Sequence, residues 1–167
     1  MLKRFLKICS LLLALIMFSS LLSGCLIKIR MPDETFVQKK LTKNYDSICV
    51  ITNFLANSEY NHIYIREADG TMLADLQERQ IDNNEVLIAV RRLLNGGKYI
   101  YIYKSGNTIH LLQWLSIKDR GCGIAYTISQ EGLPEVNYAT EFIPLSEPGW
   151  FYYVYDYNEW RNQKSKE

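Results

Sequence analysis

KYIYIYKSGNTIHLLQWLSI, residues 98–117, is the stretch that decides the fold. Residues 98–103 alternate strictly, with tyrosine and isoleucine taking turns from Tyr99 to Tyr103, and a period of two residues is the pattern of a β-strand with two different faces. Ser105 and Gly106 predict a turn, and residues 108–117 predict the strand that returns from it. The stretch is therefore predicted to form an antiparallel hairpin.

The side chains of the two strands also predict a register for this hairpin. With a turn centred on Ser105 and Gly106, one face carries aliphatic pairs and the other carries the tyrosines. Because a one-residue slip would mix the two faces, this agreement supports the register. The predicted opposing pairs are Ile100 with Leu111, Ile102 with Ile109, Tyr99 with Leu112, and Tyr101 with His110.

A third strand is predicted at residues 123–128, after a turn at residues 119–121. A two-residue loop would place Ile124 and Tyr126 on the aliphatic face of the hairpin, and a three-residue loop would place them on the tyrosine face. The sequence leaves both registers open. In either case the three strands form an antiparallel meander.

Two helices are predicted from capping residues and apolar stripes. The first opens at Pro32-Asp33-Glu34, because proline suits the first turn and acids suit the positive helix end, and it ends near Asn44. The second is predicted to be capped by Asp82, with a glutamate three residues on as in a capping box. Its apolar stripe consists of Val86, Ala89, Val90, Leu93 and Leu94.

The remaining apolar segments predict further strands. Residues 47–55 are rich in β-branched and apolar side chains and are predicted as a strand, with a continuing helix as the alternative. The other predicted strands are residues 62–66, 71–73, 138–143 and 150–155. Together these elements predict an α+β fold, with a mostly antiparallel sheet of about five to seven strands and two helices packed on one face.

Residues 1–24 have the three parts of a secretory signal. A positive segment with three Lys or Arg residues precedes an apolar run at residues 11–22, and the small residues Ser23 and Gly24 follow it. The apolar run is shorter than the roughly 20 residues of a membrane-spanning helix. Removal of the signal is therefore predicted over its retention.

Leu22-Ser23-Gly24-Cys25 resembles the lipobox of bacterial lipoproteins. The resemblance implies that the Cys25 thiol receives a diacylglyceryl group and that cleavage makes Cys25 the first residue of the mature protein. Two acyl chains hold a protein stably at a membrane, whereas one holds it only marginally. The resemblance therefore implies an extracytoplasmic protein that is anchored by lipid to the bacterial cell membrane.

The lipobox also divides the chain. The predicted parts are a signal peptide at residues 1–24, a short lipidated tether at residues 25–32, one α+β domain at residues 33–160 and a polar tail at residues 161–167. Lys and Arg number 19, Asp and Glu number 18, and three of the basic residues fall in the signal. The mature chain is therefore slightly acidic and has no clustered basic face, which argues against a nucleic-acid partner.

Two cysteines besides Cys25 remain in the mature chain. Cys49 and Cys122 could form a disulfide outside the cytoplasm. The alternative is a pair of buried thiols that act as small apolar side chains. Cys49 lies in the apolar run of residues 48–51, which suits burial. The sequence leaves both states open.

The sequence contains none of the familiar catalytic, cofactor or metal motifs. His62 and His110 are far apart and lack neighbouring ligands, so no metal site and no cofactor are predicted. Gly121-Cys122-Gly123 is interpreted as a tight turn with flanking glycines rather than as a nucleophile site. A non-enzymatic binding or accessory role is therefore the predicted function.

The aromatic residues predict where binding occurs. The chain has 12 tyrosines and three tryptophans, and such side chains combine apolar area with a polar tip. The candidate binding face consists of Tyr99, Tyr101, Tyr103, His110 and Trp114. Its predicted partner is a cell-wall polymer or a protein, and burial of the same face under helices is the alternative.

Two alternative functions follow from weaker features. A small envelope hydrolase would need His110 to meet Cys122 or a carboxylate in one cleft. A protein inhibitor would need a protruding, rigid loop.

Overall fold

The computed structural model describes residues 31–95, 98–116 and 119–165. The signal and the lipobox cysteine, Cys25, lie outside the described residues, so lipidation stays a prediction. None of the described helices combines the length and the apolar composition that are needed to cross a membrane.

The fold class is α+β, as predicted. The described residues form eight strands and four helices, compared with the five to seven strands and two helices expected. The helices are α1 (Glu34–Lys43), α2 (Tyr45–Ala56), α3 (Asn84–Leu94) and α4 (Tyr157–Lys164). The strands are β1 (His62–Ile65), β2 (Thr71–Ala74), β3 (Gln77–Gln80), β4 (Tyr101–Ser105), β5 (Thr108–Leu115), β6 (Arg120–Thr127), β7 (Ala139–Pro144) and β8 (Trp150–Asp156).

All eight strands belong to one antiparallel sheet, in the order β3-β2-β1-β4-β5-β6-β8-β7. The edge strand β3 was not predicted, because its four residues are all exposed and lack the alternation that identifies a strand. The turn before it holds Asp75 and Leu76 at positive φ, and Leu76 is 90% exposed.

The first hairpin forms, but its predicted register is wrong by two residues. Ser105 pairs with Thr108, so Gly106 and Asn107 make the turn, and Gly106 takes a φ of 53°. Glycine reaches that left-handed angle without steric cost from a Cβ atom. The observed pairs are Tyr101–Leu112, Ile102–Leu111, Tyr103–His110 and Lys104–Ile109. Because the shift is two residues, the paired side chains keep their predicted faces.

The third strand takes the first of the two faces left open, although four residues, not the two expected for that case, separate β5 from β6. Ile109 pairs with Tyr126 and Leu111 pairs with Ile124, so both β6 residues lie on the aliphatic face. The aliphatic side chains of β4, β5 and β6 therefore form one continuous surface.

A β-bulge in β5 changes the side of the sheet on which Trp114 lies. Leu112 pairs with Gly123 but Trp114 pairs with Cys122, which leaves Gln113 as the extra residue. A bulge of one residue reverses the alternation beyond it. Trp114 therefore packs against the main core on the aliphatic face, and its predicted place on the tyrosine face is wrong.

The segment Gly121-Cys122-Gly123 lies within β6 and not in a tight turn. A Cβ atom on Gly123 would collide with the Leu111 carbonyl oxygen, and one on Gly121 would collide with the Tyr155 ring. Residues of the neighbouring strands therefore approach the β6 backbone so closely that both positions require glycine.

Helices α1, α2 and α3 all pack on the aliphatic face. Residues 47–55 were predicted as a strand, and this is wrong because they form most of α2. Apolar residues recur at Ile48, Ile51 and Leu55, which is the spacing of one helix face, and all three are fully buried. Burial of this stripe outweighs the local preference of β-branched residues for strands. The continuing helix was the better interpretation, since only Asn44 separates α1 from α2.

The helix starts are partly as predicted. Asp33 caps α1, because its carboxylate accepts a hydrogen bond from the Phe36 N–H at 2.9 Å. The predicted capping of α3 by Asp82 is wrong, since Asn83 Oδ1 accepts from the N–H groups of Glu85 and Val86 at 2.9 and 3.2 Å. Asn83, the residue after the predicted cap, therefore satisfies two backbone N–H groups in the first turn of α3.

Candidate binding pocket

The face of the sheet opposite these three helices carries the tyrosines of β1 and β4. Tyr64 pairs with Tyr103 across the strands. The Tyr64 ring centroid lies 5.2 Å from that of Tyr101 and 6.3 Å from that of Tyr103. Tilted and edge-on rings attract one another at such distances. The three rings therefore form a preassembled aromatic wall.

This wall borders a cavity of about 460 Å³, which we call the tyrosine pocket. Small-molecule sites in proteins have volumes of about 300–1,000 Å³. The lining residues are Tyr64, Tyr101, Tyr103, Ser105, His110, Glu135, Val136, Asn137, Tyr138 and Tyr155. Half of these residues are tyrosines, and none of them is lysine or arginine. The described part of the lining is thus aromatic, rich in hydroxyl groups and without a cation.

The second wall comes from the segment between β6 and β7. The Glu135 N–H donates to the Thr108 hydroxyl oxygen at 2.8 Å, which fastens the segment to β5. Tyr138 takes a φ of 61°, an unusual angle for a bulky residue. Its ring lies 5.0 Å from the rings of both Tyr157 and Trp160 in α4. Contacts on both sides therefore hold this wall over the sheet.

His110 borders the pocket but is only 7% exposed. Its Nδ1 lies 3.1 Å from the Tyr153 hydroxyl oxygen. The rings of Tyr101, Tyr103 and Tyr153 meet it edge-on, with centroids 5.8, 5.2 and 5.6 Å away. Burial lowers the pKa of His110 from 6.5 to about 4. The imidazole is therefore neutral at pH 7.

The structure brings together three of the five residues of the candidate binding face. Tyr101, Tyr103 and His110 line the tyrosine pocket, whereas Tyr99 and Trp114 lie on the helix side of the sheet. Tyr99 precedes β4, its N–H donates to the Leu93 carbonyl oxygen at 3.2 Å, and its side chain is 1% exposed. The regular alternation assumed from the sequence fails at both ends of the hairpin.

Seven of the ten lining residues were not predicted for this face: Tyr64, Ser105, Glu135, Val136, Asn137, Tyr138 and Tyr155. Tyr64 lies on the short strand β1. Its alternation with Ile63 and Ile65 predicts the face of β1 on which it lies, but it does not predict that β1 pairs with β4. Tyr155 lies on β8, a strand with aromatic residues on both faces. Tyr138 and Glu135 lie in irregular chain, where residue spacing carries no signal for their position.

The cysteine arrangement gives the hydrolase alternative no catalytic pair. Cys49 and Cys122 are free thiols, so no disulfide joins them. Cys122 faces the helix layer, its Sγ lies 3.7 Å from the Pro32 carbonyl oxygen, and burial raises the pKa of its thiol to about 11. His110 faces the opposite side of the sheet. Glu135 lines the same pocket as His110, but no hydrogen bond joins them among the described residues.

A larger cavity of about 840 Å³ lies between α2, the start of α3 and the β2–β3 hairpin. Glu59, Arg79 and Asp82 line it and are all exposed. Arg79 rests over the Tyr60 ring with its guanidinium carbon 5.5 Å from the centroid. The polar side chains of this larger cavity are solvated, whereas the aromatic rings of the tyrosine pocket contact one another. The tyrosine pocket is therefore the better candidate for a binding site.

No group of three or more His, Cys, Asp and Glu side chains is placed to hold a metal ion within residues 31–95, 98–116 and 119–165. Comparisons with protein-family models, with curated proteins and with solved structures found no match. The geometry of the tyrosine pocket is therefore the basis for assigning a function.

Proposed function

We propose that the chain is a lipid-anchored, extracytoplasmic binding protein of the bacterial cell envelope, with the tyrosine pocket as its binding site. One observation carries the proposal: a preassembled tyrosine cavity lies on the sheet face that α1, α2 and α3 leave uncovered. Preassembled rings lose little conformational freedom on binding, which favours affinity. The binding partner is a component of the cell wall or an envelope protein.

The way in which the chain enters the domain supports this arrangement. The Pro32 carbonyl oxygen accepts a hydrogen bond from the Tyr152 hydroxyl at 3.0 Å, and it also lies near the Cys122 thiol. Both partners belong to the helix side of the sheet. Pro32, near the start of the described chain, therefore lies on the side of the sheet away from the tyrosine pocket.

Replacement of the lipobox cysteine tests the anchor. Cys25→Ala removes the thiol that the diacylglyceryl group would join, so we expect the full chain to lose its lipid and to leave the membrane fraction. Cys9→Ala, within the apolar part of the signal, is the matched control and should not change partition. A Cys25→Ala chain that partitions with membranes as the parent does would contradict lipid anchoring.

Sedimentation with isolated cell-wall material tests the pocket. Tyr103→Ala removes one ring from the aromatic wall, so we expect binding to weaken by about tenfold, since a well-packed aromatic contact is worth roughly 1–2 kcal/mol. Tyr45→Ala removes an exposed tyrosine of α2 that does not line the pocket, and this variant should bind as the parent does. Equal binding by all three proteins, with unchanged melting temperatures, would exclude the pocket as the wall-binding site.

The inhibitor alternative is favoured by the β2–β3 hairpin. Asp75 and Leu76 hold positive φ angles that cost energy for residues other than glycine, and they present an apolar side chain that is 90% exposed. Leu76→Ser therefore belongs in the same series. If it weakens capture by envelope proteins while Tyr103→Ala does not, the hairpin is the binding element.

A further inference from the structure

We infer that the tyrosine pocket binds a substituted ammonium group, such as the trimethylammonium group of choline. This inference rests on the proposed function, because it takes the pocket to be the binding site. It adds the chemical class of the bound group.

The aromatic lining has the residue types that attract an organic cation. Tyr64, Tyr101 and Tyr103 line one wall, and Tyr138 and Tyr155 line the rest of the same cavity. The face of a tyrosine ring is the negative end of its quadrupole, so a cation among several rings is attracted to each of them. Methyl groups on the nitrogen also bury apolar area against the rings. Several rings around one cavity therefore suit a bulky ammonium better than a small inorganic cation.

The charges around the cavity point in the same direction. Glu135 is the single carboxylate among the described lining residues, and none of these residues is lysine or arginine. His110 is neutral at pH 7, as its burial requires, so it does not repel a cation. Burial also raises the pKa of Tyr101, which keeps its hydroxyl neutral. The described lining is therefore negative, because of one carboxylate and the ring faces, and it offers no lysine or arginine with which an anionic ligand could pair.

A neutral ligand of the same shape provides the decisive comparison. The full lipidated chain in a non-ionic detergent would be titrated with choline chloride, with 3,3-dimethylbutan-1-ol and with sodium chloride, and binding would be followed by calorimetry. The alcohol has a carbon in place of the nitrogen. We expect choline to bind about tenfold more tightly than the alcohol, because the cation–π attraction acts on choline alone. Equal affinities, or no binding of choline, would overturn the inference.

Two pairs of variants test the contributions of the rings and of the carboxylate. Tyr103→Phe keeps a ring face and should bind choline within about threefold of the parent, whereas Tyr103→Leu should lose about tenfold. Glu135→Gln should weaken choline binding several-fold and leave binding of the alcohol unchanged, while Glu78→Gln on β3 should change neither. Loss of choline binding by Phe and Leu alike would contradict a ring-face contact.

The ammonium group could belong to a soluble or polymer-borne molecule or to a lipid headgroup, and vesicles separate these sources. The chain would be reconstituted in phosphatidylglycerol vesicles and in phosphatidylcholine vesicles before titration with choline. A lipid source predicts weaker choline binding in the phosphatidylcholine vesicles, and the other source predicts equal binding. If choline fails to bind while attachment to the cell wall still depends on Tyr103, the ammonium class is wrong and the proposed function stands.

Discussion

The buried imidazole of His110 predicts that the stability of the protein depends on pH. It lies among three tyrosine rings, and protonation would place a charge where burial disfavours it. The unfolded chain takes up a proton near pH 6.5, whereas the folded chain does so only near pH 4. Between these values the unfolded state binds more protons, so acid shifts the equilibrium towards unfolding.

The contribution of His110 to the free energy of unfolding should therefore be constant above pH 6.5. Between pH 6.5 and pH 4 this contribution should fall by about 3 kcal/mol. His110→Gln should lack that part of the pH dependence, because an amide does not titrate and can still contact the Tyr153 hydroxyl. The titrating carboxylates, including Glu135 in the same pocket, are common to both proteins. Urea unfolding of parent and variant across this range measures the difference, and parallel curves would contradict the burial of a neutral imidazole.

Helix α3 carries the clearest division between a buried and an exposed face. Leu93 is fully buried against the sheet, whereas Ile88 on the same helix is 50% exposed. Leu93→Asp would bury a carboxylate without a partner, at a cost of several kcal/mol out of a total stability of about 5–15 kcal/mol. We expect loss of the cooperative melting transition for Leu93→Asp and a nearly unchanged transition for Ile88→Asp. Similar melting of both variants, followed by circular dichroism, would mean that this stripe is not the core face.

A comparison of α3, residues 47–55 and β3 shows which kinds of element can be predicted from a single sequence. The α3 stripe recurs at helical spacing over three turns, and the helix was predicted within about two residues, although its capping residue was misidentified by one position. Residues 47–55 are almost all apolar or β-branched, so neither period dominated, and only packing against the sheet decided for a helix. Strand β3 has no buried side chain, so its pairing to β2 rather than its composition makes it a strand.

At the scale of the whole molecule, the two faces of the sheet were predicted from alternation alone. The tyrosine face was identified, but its edges were not. A bulge at Gln113 transfers Trp114 to the other side, and the connection after α3 turns Tyr99 into the core before β4 begins. Both features are local interruptions of the strand alternation, and the residue types at these positions do not predict them. Tyr64 and Glu135 join the pocket through strand pairing and loop anchoring, which are long-range contacts.

The central claim is that the tyrosine pocket is the place where this protein binds. Ring-labelled tyrosine in the full chain, assigned by single Tyr→Phe variants, reports each ring separately in an NMR titration with choline and with solubilised cell-wall fragments. The account predicts the largest shifts at Tyr64, Tyr101 and Tyr103, with Tyr45 unchanged. The largest shifts at Tyr60, beside the larger cavity, or no shifts at any tyrosine would contradict it.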